Sequence, residues 1–298
     1  MNILVFGSCG FIGNSLISFY KKNPDVRVYG VDIAEKNEKD YFCISKDEDD
    51  FVSLINSSRP DIIINAAGAA NVNLSFKDPE WDYASNVLMV FRLLNSIRKS
   101  GHNCKLVQLS SAAVYGNPLS LPVTENEPVK PVSPYGFHKL QSEILCKEFA
   151  EVYNVQVAIV RIFSAYGVGL RKQLFWDLYQ KANASDEITL FGTGNESRDF
   201  INAGDLVKAL DIIGRSGEFN ATIYNIANGE EIRIKDAVNC FLKQIDWKGK
   251  LNFSGGNRSG DPLNWKADIS RLSSLGYKKG IDFAKGIELY CKWIKESG

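Results

Sequence analysis

The chain opens with the stretch MNILVFGSCGFIGNSLISFYKKNPDVRVYGVDI (residues 1–33), and this stretch decides the fold. Ile3–Phe6 is a short apolar run, which is typical of a buried parallel strand. Apolar residues then recur at helical intervals as far as Tyr20, and a second apolar run, 26–31, stops at Asp32. The order of strand, glycine-containing turn, helix, strand and carboxylate predicts the first unit of a parallel α/β sheet.

The turn between the first strand and the helix has the composition of a dinucleotide-binding loop. Three glycines are spaced three residues apart, and Asp32 ends the next strand about twenty residues further on. Glycines let the backbone approach a pyrophosphate, the helix N-terminus offers free N–H groups, and a carboxylate accepts hydrogen bonds from ribose hydroxyls. A tight turn that merely contains glycines is the alternative, but the flanking strands and Asp32 favour a cofactor site. The predicted cofactor-binding residues of this stretch are Gly7, Gly10, Phe11, Ile12, Gly13 and Asp32.

The composition excludes several classes of protein. The 298 residues include 35 Lys and Arg and 35 Asp and Glu, so no net basic charge attracts nucleic acid or an anionic membrane. No apolar run approaches the roughly 20 residues that span a bilayer, and a chain that begins with a core strand is not expected to carry a cleaved signal peptide. The six cysteines form no CxxC pair and the histidines number two, so we expect reduced thiols, no metal site and a cytoplasmic location.

Strand-like and helix-like segments alternate up to about residue 160, which predicts a doubly wound parallel sheet with right-handed crossovers. Past Ser164 the alternation breaks down. We therefore expect a cofactor-binding domain made of residues 1–163 and about 198–227. A smaller C-terminal α+β lobe for the substrate would consist of about 164–197 and 228–298.

Two helices and one run of small residues matter for the site. A buried strand at 61–65 runs into Ala66, Ala67 and Gly68, where a backbone is expected to pass close to a bulky group. A long helix is predicted over 81–100, and a second helix begins after Ser133 with Pro134 in its first turn. The loop 116–134 between them is long for a compact domain, as functional lids often are.

One pair of side chains suggests the chemistry. Tyr135 is followed four residues later by Lys139, so both lie on one face of the second helix. A phenol with a pKa of about 10 is a poor base at neutral pH, but an ammonium group and an oxidised nicotinamide would both favour the phenolate. Ser111 ends another predicted strand and offers a hydroxyl to a substrate oxygen at the edge where ligands collect in such sheets.

The chain resembles the extended short-chain dehydrogenase/reductases, and within them a nucleotide-sugar epimerase, dehydratase or 4-ketoreductase. The resemblance runs nearly end to end and implies a Rossmann-type fold. The segments that carry it are the glycine loop with Asp32, 110–116 (SSAAVYG), 135–139 (YGFHK), 161–167 (RIFSAYG), 198–201 (RDFI), 224–226 (YNI) and 260–269 (GDPLNWKADI).

The resemblance implies roles for the candidate residues. Tyr135 would be the acid and base at a sugar hydroxyl, typically at C4. Lys139 would hold the nicotinamide ribose and lower the tyrosine pKa, and Ser111 would bind the reacting oxygen. Asn86 matches the asparagine that supports this lysine through water, with a solvated helix residue as the alternative. The small residues Ala66, Ala67 and Gly68 are assigned to the cofactor site as well.

The resemblance also implies a substrate site for a nucleotide-diphosphate sugar. Arg198 and Arg258 match arginines that grip the diphosphate, a task that suits a bidentate guanidinium. Trp265 falls where related epimerases have a residue that gates the C2 substituent of the sugar, although a core tryptophan is equally consistent with the pattern. The full substrate set is Ser111, Ser164, Arg171, Arg198, Arg258 and Trp265.

The reaction is less sharply specified. The 4,6-dehydratases of the family carry Thr-Asp-Glu where this chain has Ser111-Ala112-Ala113, so a dehydratase is rejected. An epimerase that oxidises C4 and returns the hydride is favoured. A 4-ketoreductase that consumes NAD(P)H and a non-catalytic NAD(P)-binding sensor remain the alternatives. Asp32 favours NAD over NADP because its charge would repel a 2′-phosphate, although Lys36 and Lys39 lie nearby in the sequence.

Two further expectations follow from the resemblance. The apolar stripes of the 81–100 helix and the Tyr135 helix predict a homodimer through a four-helix bundle. Three departures from the family pattern are His138 before the lysine, Ser164 in place of an asparagine, and an indistinct adenine-binding segment around 45–47. The second and third affect substrate and cofactor binding and leave the hydride chemistry intact.

Overall fold

The computed structural model describes residues 1–48, 50–256, 260 and 262–297. The strands are β1 (Asn2–Phe6), β2 (Arg27–Asp32), β3 (Tyr41–Cys43), β4 (Ile62–Asn65), β5 (Lys105–Ser111), β6 (Gln156–Ile162), β7 (Ser164–Tyr166), β8 (Glu187–Leu190), β9 (Ser197–Arg198), β10 (Phe200–Asn202), β11 (Asn220–Ile226), β12 (Ile232–Arg233) and β13 (Lys250–Phe253). The α-helices are α1 (Phe11–Tyr20), α2 (Val52–Ser58), α3 (Val72–Lys77), α4 (Pro79–Tyr83), α5 (Met89–Ser100), α6 (Pro134–Tyr153), α7 (Gln173–Ala184), α8 (Ala203–Ser216), α9 (Ile234–Gln244), α10 (Ser270–Ser274) and α11 (Phe283–Ser297).

A parallel sheet forms the centre of the molecule, and within the described ranges it has seven strands in the order β11-β6-β5-β4-β1-β2-β3. β1 lies between β2 and β4, so the chain order reverses on either side of it. In doubly wound sheets the crevice at this switch point, beyond the carboxyl ends of the strands, is where ligands bind. The predicted Rossmann-type sheet is confirmed.

The sheet is buried on both faces, which explains why its strands are continuous apolar runs. On β1, Ile3 and Val5 belong to one core cluster while Leu4 and Phe6 belong to another on the opposite face. Helices α1 and α8 cover the first face, and α2, α5 and α6 cover the second.

A third core cluster lies among α7, α9 and α11. It is rich in aromatic rings, and Phe175 is at its centre, with five other rings at centroid distances of 5.5 to 6.3 Å. Three two-stranded pairs, β7 with β10, β9 with β12 and β8 with β13, accompany this cluster among the described residues.

The predicted continuous helix over 81–100 is wrong in one respect. The described chain instead forms α4, a π-helical turn at Ala84–Leu88, and α5. Asp78 caps α4 by accepting from the Trp81 N–H at 3.0 Å, and Pro79 fixes its first turn, so the helix begins earlier than predicted. The π turn widens the helix at Asn86, and such turns are frequent at functional sites.

No helix in the described ranges is both long enough and apolar enough to cross a membrane.

Candidate active site

The glycine loop connects β1 to the N-terminus of α1. Gly7 has a positive φ of 70°, and a Cβ there would lie 2.6 Å from the backbone nitrogen of Ala67. A Cβ on Gly13 would lie 2.0 Å from the Gly7 carbonyl oxygen. The protein's own packing therefore requires these two glycines. Gly10 is exposed at the helix N-terminus and has no side chain to cap it, which leaves the first turn of α1 open to an anion.

Asp32 is fixed by the loop that it faces. Its Oδ2 accepts from the backbone N–H of Cys9 at 2.8 Å, and its Oδ1 accepts from the N–H of Ile33 at 2.8 Å. The Ala34 N–H also donates to Oδ1, at 3.4 Å. A carboxylate has about four acceptor positions, so acceptor capacity remains for a ribose hydroxyl. Lys36, which could have favoured a 2′-phosphate, lies 3.8 Å from the Glu38 carboxylate.

Phe11 and Ile12 open α1 and pack into different cores. Phe11 contacts the aromatic cluster of α7, α9 and α11, with its Cδ2 atom 3.8 Å from the position of a Cβ on Gly169. Ile12 packs against the α1 side of the sheet. The first helical turn after the glycine loop is therefore anchored on both sides.

Tyr135, Lys139 and Ser111 lie together at the carboxyl end of β5. Ser111 is the last residue of β5 and begins a short 3₁₀ turn at 112–114. Ser133 caps α6 by accepting from the Gly136 N–H at 3.1 Å, which sets Tyr135 in the first turn. The Nζ atom of Lys139 lies 5.9 Å from the centroid of the Tyr135 ring and donates to the Leu109 carbonyl at 3.2 Å.

Burial governs the protonation of this cluster. It raises the pKa of the Tyr135 phenol to about 12, while a hydrogen bond with Ser111 acts in the opposite direction and the Asp82 charge adds to the rise. Burial also lowers the pKa of the Lys139 ammonium to about 8. The negative charges of Asp82 and, to a smaller extent, Glu143 act against this lowering. Within the protein itself, desolvation therefore dominates the pKa of the Tyr135 phenol, and the lowering of that pKa by Lys139 stays a prediction.

Asn86 and Gly68 form one wall beside the lysine. The Asn86 side chain is buried, and neither its oxygen nor its nitrogen has a hydrogen-bond partner in the described structure. A Cβ on Gly68 would lie 2.7 Å from Asn86 Oδ1 and 3.4 Å from Lys139 Nζ. A buried amide without partners needs a ligand or water to satisfy it, so this wall fits a bound polar group such as a cofactor ribose.

Arg198 and Trp265 are neighbours. The Cζ atom of Arg198 lies 5.5 Å from a ring centroid of Trp265, and its Nη1 donates to the Ser197 carbonyl at 2.8 Å. Trp265 is buried in a core cluster, and its Nε1 donates to the Gly116 carbonyl at 3.1 Å. This indole therefore packs as a core residue while also fixing the start of the 116–134 loop. Ser164 begins β7, and its N–H donates to the Asp199 carbonyl at 3.0 Å.

Arg171 lies in a different environment from the other predicted substrate residues. Its guanidinium carbon is 5.4 Å from a ring centroid of Trp176 and 5.5 Å from one of Trp293. The sequence pattern gave no signal of these stacked rings. Arg258 lies outside the described residues.

The sequence reasoning missed several buried polar residues around the cluster. Glu143 accepts from Arg161 Nη2 at 2.7 Å and from the Ser110 hydroxyl at 2.6 Å. Ser75 accepts from the Tyr135 N–H at 3.1 Å. Asp82 accepts from His138 Nδ1 at 2.6 Å, so the histidine that departs from the family pattern has a specific partner. Glu143 follows Lys139 by four residues on a helix, which is the one signal that was available.

Comparisons with known proteins agree with this geometry. The model of the NAD dependent epimerase/dehydratase family matches residues 3–227. An uncharacterized UDP-glucose epimerase, YtcB, of Bacillus subtilis is 30% identical over 296 residues, which cover 92% of each chain. A dTDP-D-glucose 4,6-dehydratase of Mus musculus is 24% identical over 322 residues, covering 99% of this chain and 89% of its own.

Among solved structures, UDP-glucuronic acid 4-epimerase of Bacillus cereus, in complex with UDP-glucuronic acid and NAD, is similar over 99% of each chain. The two share 26% sequence identity and superpose with a TM-score of 0.90. The family predicted from the sequence motifs is confirmed, as are an enzymatic role and NAD as the cofactor. The chain belongs to the NAD-dependent epimerase/dehydratase family.

Proposed function

We propose that the protein is a nucleotide-sugar 4-epimerase that transiently oxidises C4 of an NDP-hexose. The observation that carries the proposal is the meeting of Tyr135, Lys139 and Ser111 at the carboxyl end of β5, beside the glycine loop. UDP-sugars occur in the names of relatives that cover nearly all of this chain, which supports a UDP-hexose as the substrate.

The residues around the loop are suited to hold NAD. The open N-terminus of α1 would bind the pyrophosphate, Asp32 the adenosine ribose, and Lys139 with Asn86 the nicotinamide ribose. Ala66, Ala67 and Gly68 bring the backbone after β4 against Gly7 without side chains that would fill the crevice. Bound NAD would supply the acceptor for the C4 hydride and return that hydride to the other face of the sugar.

The chain's own residues would carry the proton. As the C4–H bond breaks, Tyr135 takes the proton of the C4 hydroxyl, and it returns this proton when the ketone is reduced. Ser111 donates a hydrogen bond to the same oxygen. Because burial and, to a smaller extent, the Asp82 charge hold the phenol protonated, the Lys139 ammonium and the positive charge of oxidised nicotinamide are needed to favour the phenolate.

The alternative of a dehydratase is disfavoured by the residues after Ser111. Ala112 is fully buried, and neither it nor Ala113 offers a proton donor or acceptor on its side chain. Elimination of water between C5 and C6 would need both an acid and a base at this place. A 4-ketoreductase would use the same three residues as the epimerase, so experiment has to separate these two.

The experiment is the analysis of cofactor released from the freshly purified protein, followed by incubation with UDP-hexoses and other NDP-hexoses. Stoichiometric NAD that survives gel filtration, with inversion at C4, supports the epimerase. A protein that takes up NADH or NADPH and reduces a 4-keto sugar without inverting a hydroxyl would support the reductase.

We also propose that the substrate is gripped between the two domains, with Arg171 and Arg258 of the smaller lobe (164–197 and 228–298) and Arg198 at the start of the 198–227 segment as candidate phosphate ligands. Arg198 is the best placed of the described pair, because it lies beside Trp265 at the entrance to the 116–134 loop. Substitution of Arg198 by Met should raise KM for the nucleotide sugar by more than it lowers kcat. The same substitution at Arg171 tests whether its contacts with tryptophan are structural.

A homodimer through α5 and α6 is proposed from an exposed apolar surface on these helices. Its members are each 41% to 63% exposed: Phe91, Phe137, Ile144, Val152 and Tyr153. Exposed apolar patches of this kind mark protein interfaces. Light scattering at micromolar concentration should give twice the mass of 33.2 kDa, and a monomer mass would contradict the proposal.

A further inference from the structure

Asp82, on α4, is a completely buried carboxylate that the predicted mechanism does not use. Its Oδ2 accepts the short hydrogen bond from His138, while Oδ1 has no partner in the described structure. Removing a carboxylate from water is costly unless it is paired with a positive charge or fully hydrogen-bonded. A buried carboxylate with one oxygen unsatisfied therefore suggests that its charge serves a neighbouring group.

The neighbouring group is the Lys139 ammonium. Helix α4 and the π turn both pack against α6, and Lys139 directly follows the histidine that holds Asp82. Asn86, which lies against the same lysine through Gly68, is four residues beyond Asp82 and is also buried. Burial lowers the pKa of the Lys139 ammonium, and of the charges that act against this lowering the Asp82 carboxylate is the strongest.

Apart from the Tyr135 phenol, most other ionisable groups on the elements around Lys139 have partners or are exposed. On α6, the Glu143 carboxylate is bound by Arg161 of β6, and the burial that raises the pKa of the Cys146 thiol keeps it neutral. The π turn and the 3₁₀ turn contain no ionisable side chain. On the helices that pack against α6, Lys77 and Glu80 are exposed, Arg92 is half-buried, and Tyr83 contacts the His138 ring. Arg98 of α5 stacks on Tyr153, and Lys99 pairs with Asp50. On the neighbouring strands, Lys105 of β5 lies over Phe219, and Tyr224 of β11 accepts from the Glu218 N–H.

We propose that Asp82 is a positioning residue for catalysis: its buried carboxylate, oriented by His138, is the counter-charge that keeps the Lys139 ammonium protonated beside the nicotinamide ribose. The proposal rests on the proposed function only in assigning Lys139 to that ribose. A neutral amine would donate one hydrogen bond fewer to the ribose and would no longer favour the Tyr135 phenolate.

The test is the pH dependence of NADH affinity, measured by fluorescence titration of the full-length protein freed of cofactor, between pH 6 and pH 10. In the wild type, affinity should weaken as pH rises through about 8, where the buried Lys139 loses its proton. Asp82→Asn should move this midpoint to lower pH by about one unit, the effect of one nearby charge. Lys139→Met should abolish the midpoint and so assign it.

Three further variants complete the design. Glu80→Gln removes the same charge from the exposed side of α4 and should leave the midpoint unchanged. His138→Asn keeps an N–H donor toward Asp82 and should also leave the pH midpoint unchanged. His138→Ala removes that donor and should move the midpoint part of the way towards the Asp82→Asn value. It also provides a second variant if Asp82→Asn does not fold.

The proposal is overturned if Asp82→Asn and His138→Ala weaken NADH binding equally at every pH, because the pair then only joins α4 to α6. A midpoint that persists in Lys139→Met would overturn it too. NADH binding is measured without a sugar, so a protein that fails to epimerise any nucleotide sugar would refute the proposed function while still giving this result.

Discussion

The side-chain oxygen of Asn86 lies 2.7 Å from the position that a Cβ on Gly68 would occupy. Gly68 also has a positive φ of 133°, so two independent constraints require glycine there. The backbone after β4, the π turn and Lys139 therefore meet at one point. This contact makes the shape of the proposed cofactor wall sensitive to a single methyl group.

Gly68→Ala should displace Asn86 and weaken NADH binding by at least tenfold, because the new methyl group and the strained φ disturb the lysine together. Gly101→Ala is the matched control. Gly101 has a φ of 64° but nothing within 4 Å of its Cβ position, so the substitution strains the backbone without touching the site. Equal affinities in both variants, measured by fluorescence titration, would show that the contact has no role in cofactor binding.

Tyr135→Phe should lower kcat by about 10² to 10⁴, the range that a positioned acid and base contributes. The ring is buried, and phenylalanine preserves its packing, so unfolding free energy and NAD content should change little. Tyr153→Phe, at the exposed end of the same helix, is the control and should keep wild-type kcat. Turnover that survives Tyr135→Phe would assign the proton transfer to another residue.

Glu143→Gln should destabilise the fold by about 3 to 5 kcal/mol, because it leaves the buried Arg161 guanidinium without a counter-charge. The pair is almost fully buried, with an N–O distance of 2.7 Å. Glu288→Gln breaks an exposed pair with Lys285 of the same length and should cost less than about 1 kcal/mol. Urea unfolding of the three proteins measures the difference, and similar midpoints for both variants would contradict the expected role of burial.

Asp199 should make stability depend on pH. Burial raises the pKa of its carboxyl to about 6, above its ordinary value of 3.8, although backbone N–H groups such as those of Ala267 and Asn228 act against this. A group with a raised pKa stabilises the folded state below its unfolded pKa, and that contribution is lost as pH rises through the folded value. The unfolding free energy of the wild type relative to Asp199→Asn should therefore fall between pH 4 and pH 7. A constant difference across this range would contradict the assignment.

The sequence was sufficient for those parts of the fold and site that depend on local pattern. Buried parallel strands are continuous apolar runs, so the sheet was predictable from Ile3–Phe6 onward. The glycine loop and Asp32 were predictable as a candidate cofactor site because a glycine turn that leads into a helix N-terminus suits a bound phosphate. Tyr135 and Lys139 were predictable because a spacing of four residues places two side chains on one helix face.

The rest depends on contacts between distant segments, which local pattern does not encode. In the sequence, nothing distinguishes Asp82 from the other carboxylates near it. Its importance depends on burial against His138, which is 56 residues away in the chain. The π turn at Asn86 interrupts a segment whose apolar spacing predicts an ordinary helix. Arg171 had the features of a phosphate ligand, and its contacts with Trp176 and Trp293 depend on how two helices pack together, which local pattern does not encode.

The most direct test of the central claim is NMR spectroscopy of UDP-hexoses incubated in D₂O with the purified protein and no added reductant. The account predicts inversion at C4 with the original hydrogen retained at that carbon, because the hydride is removed and returned within one site while only the hydroxyl proton exchanges. Failure of every nucleotide-hexose to invert, or product that carries deuterium at C4, would contradict transient oxidation at this position.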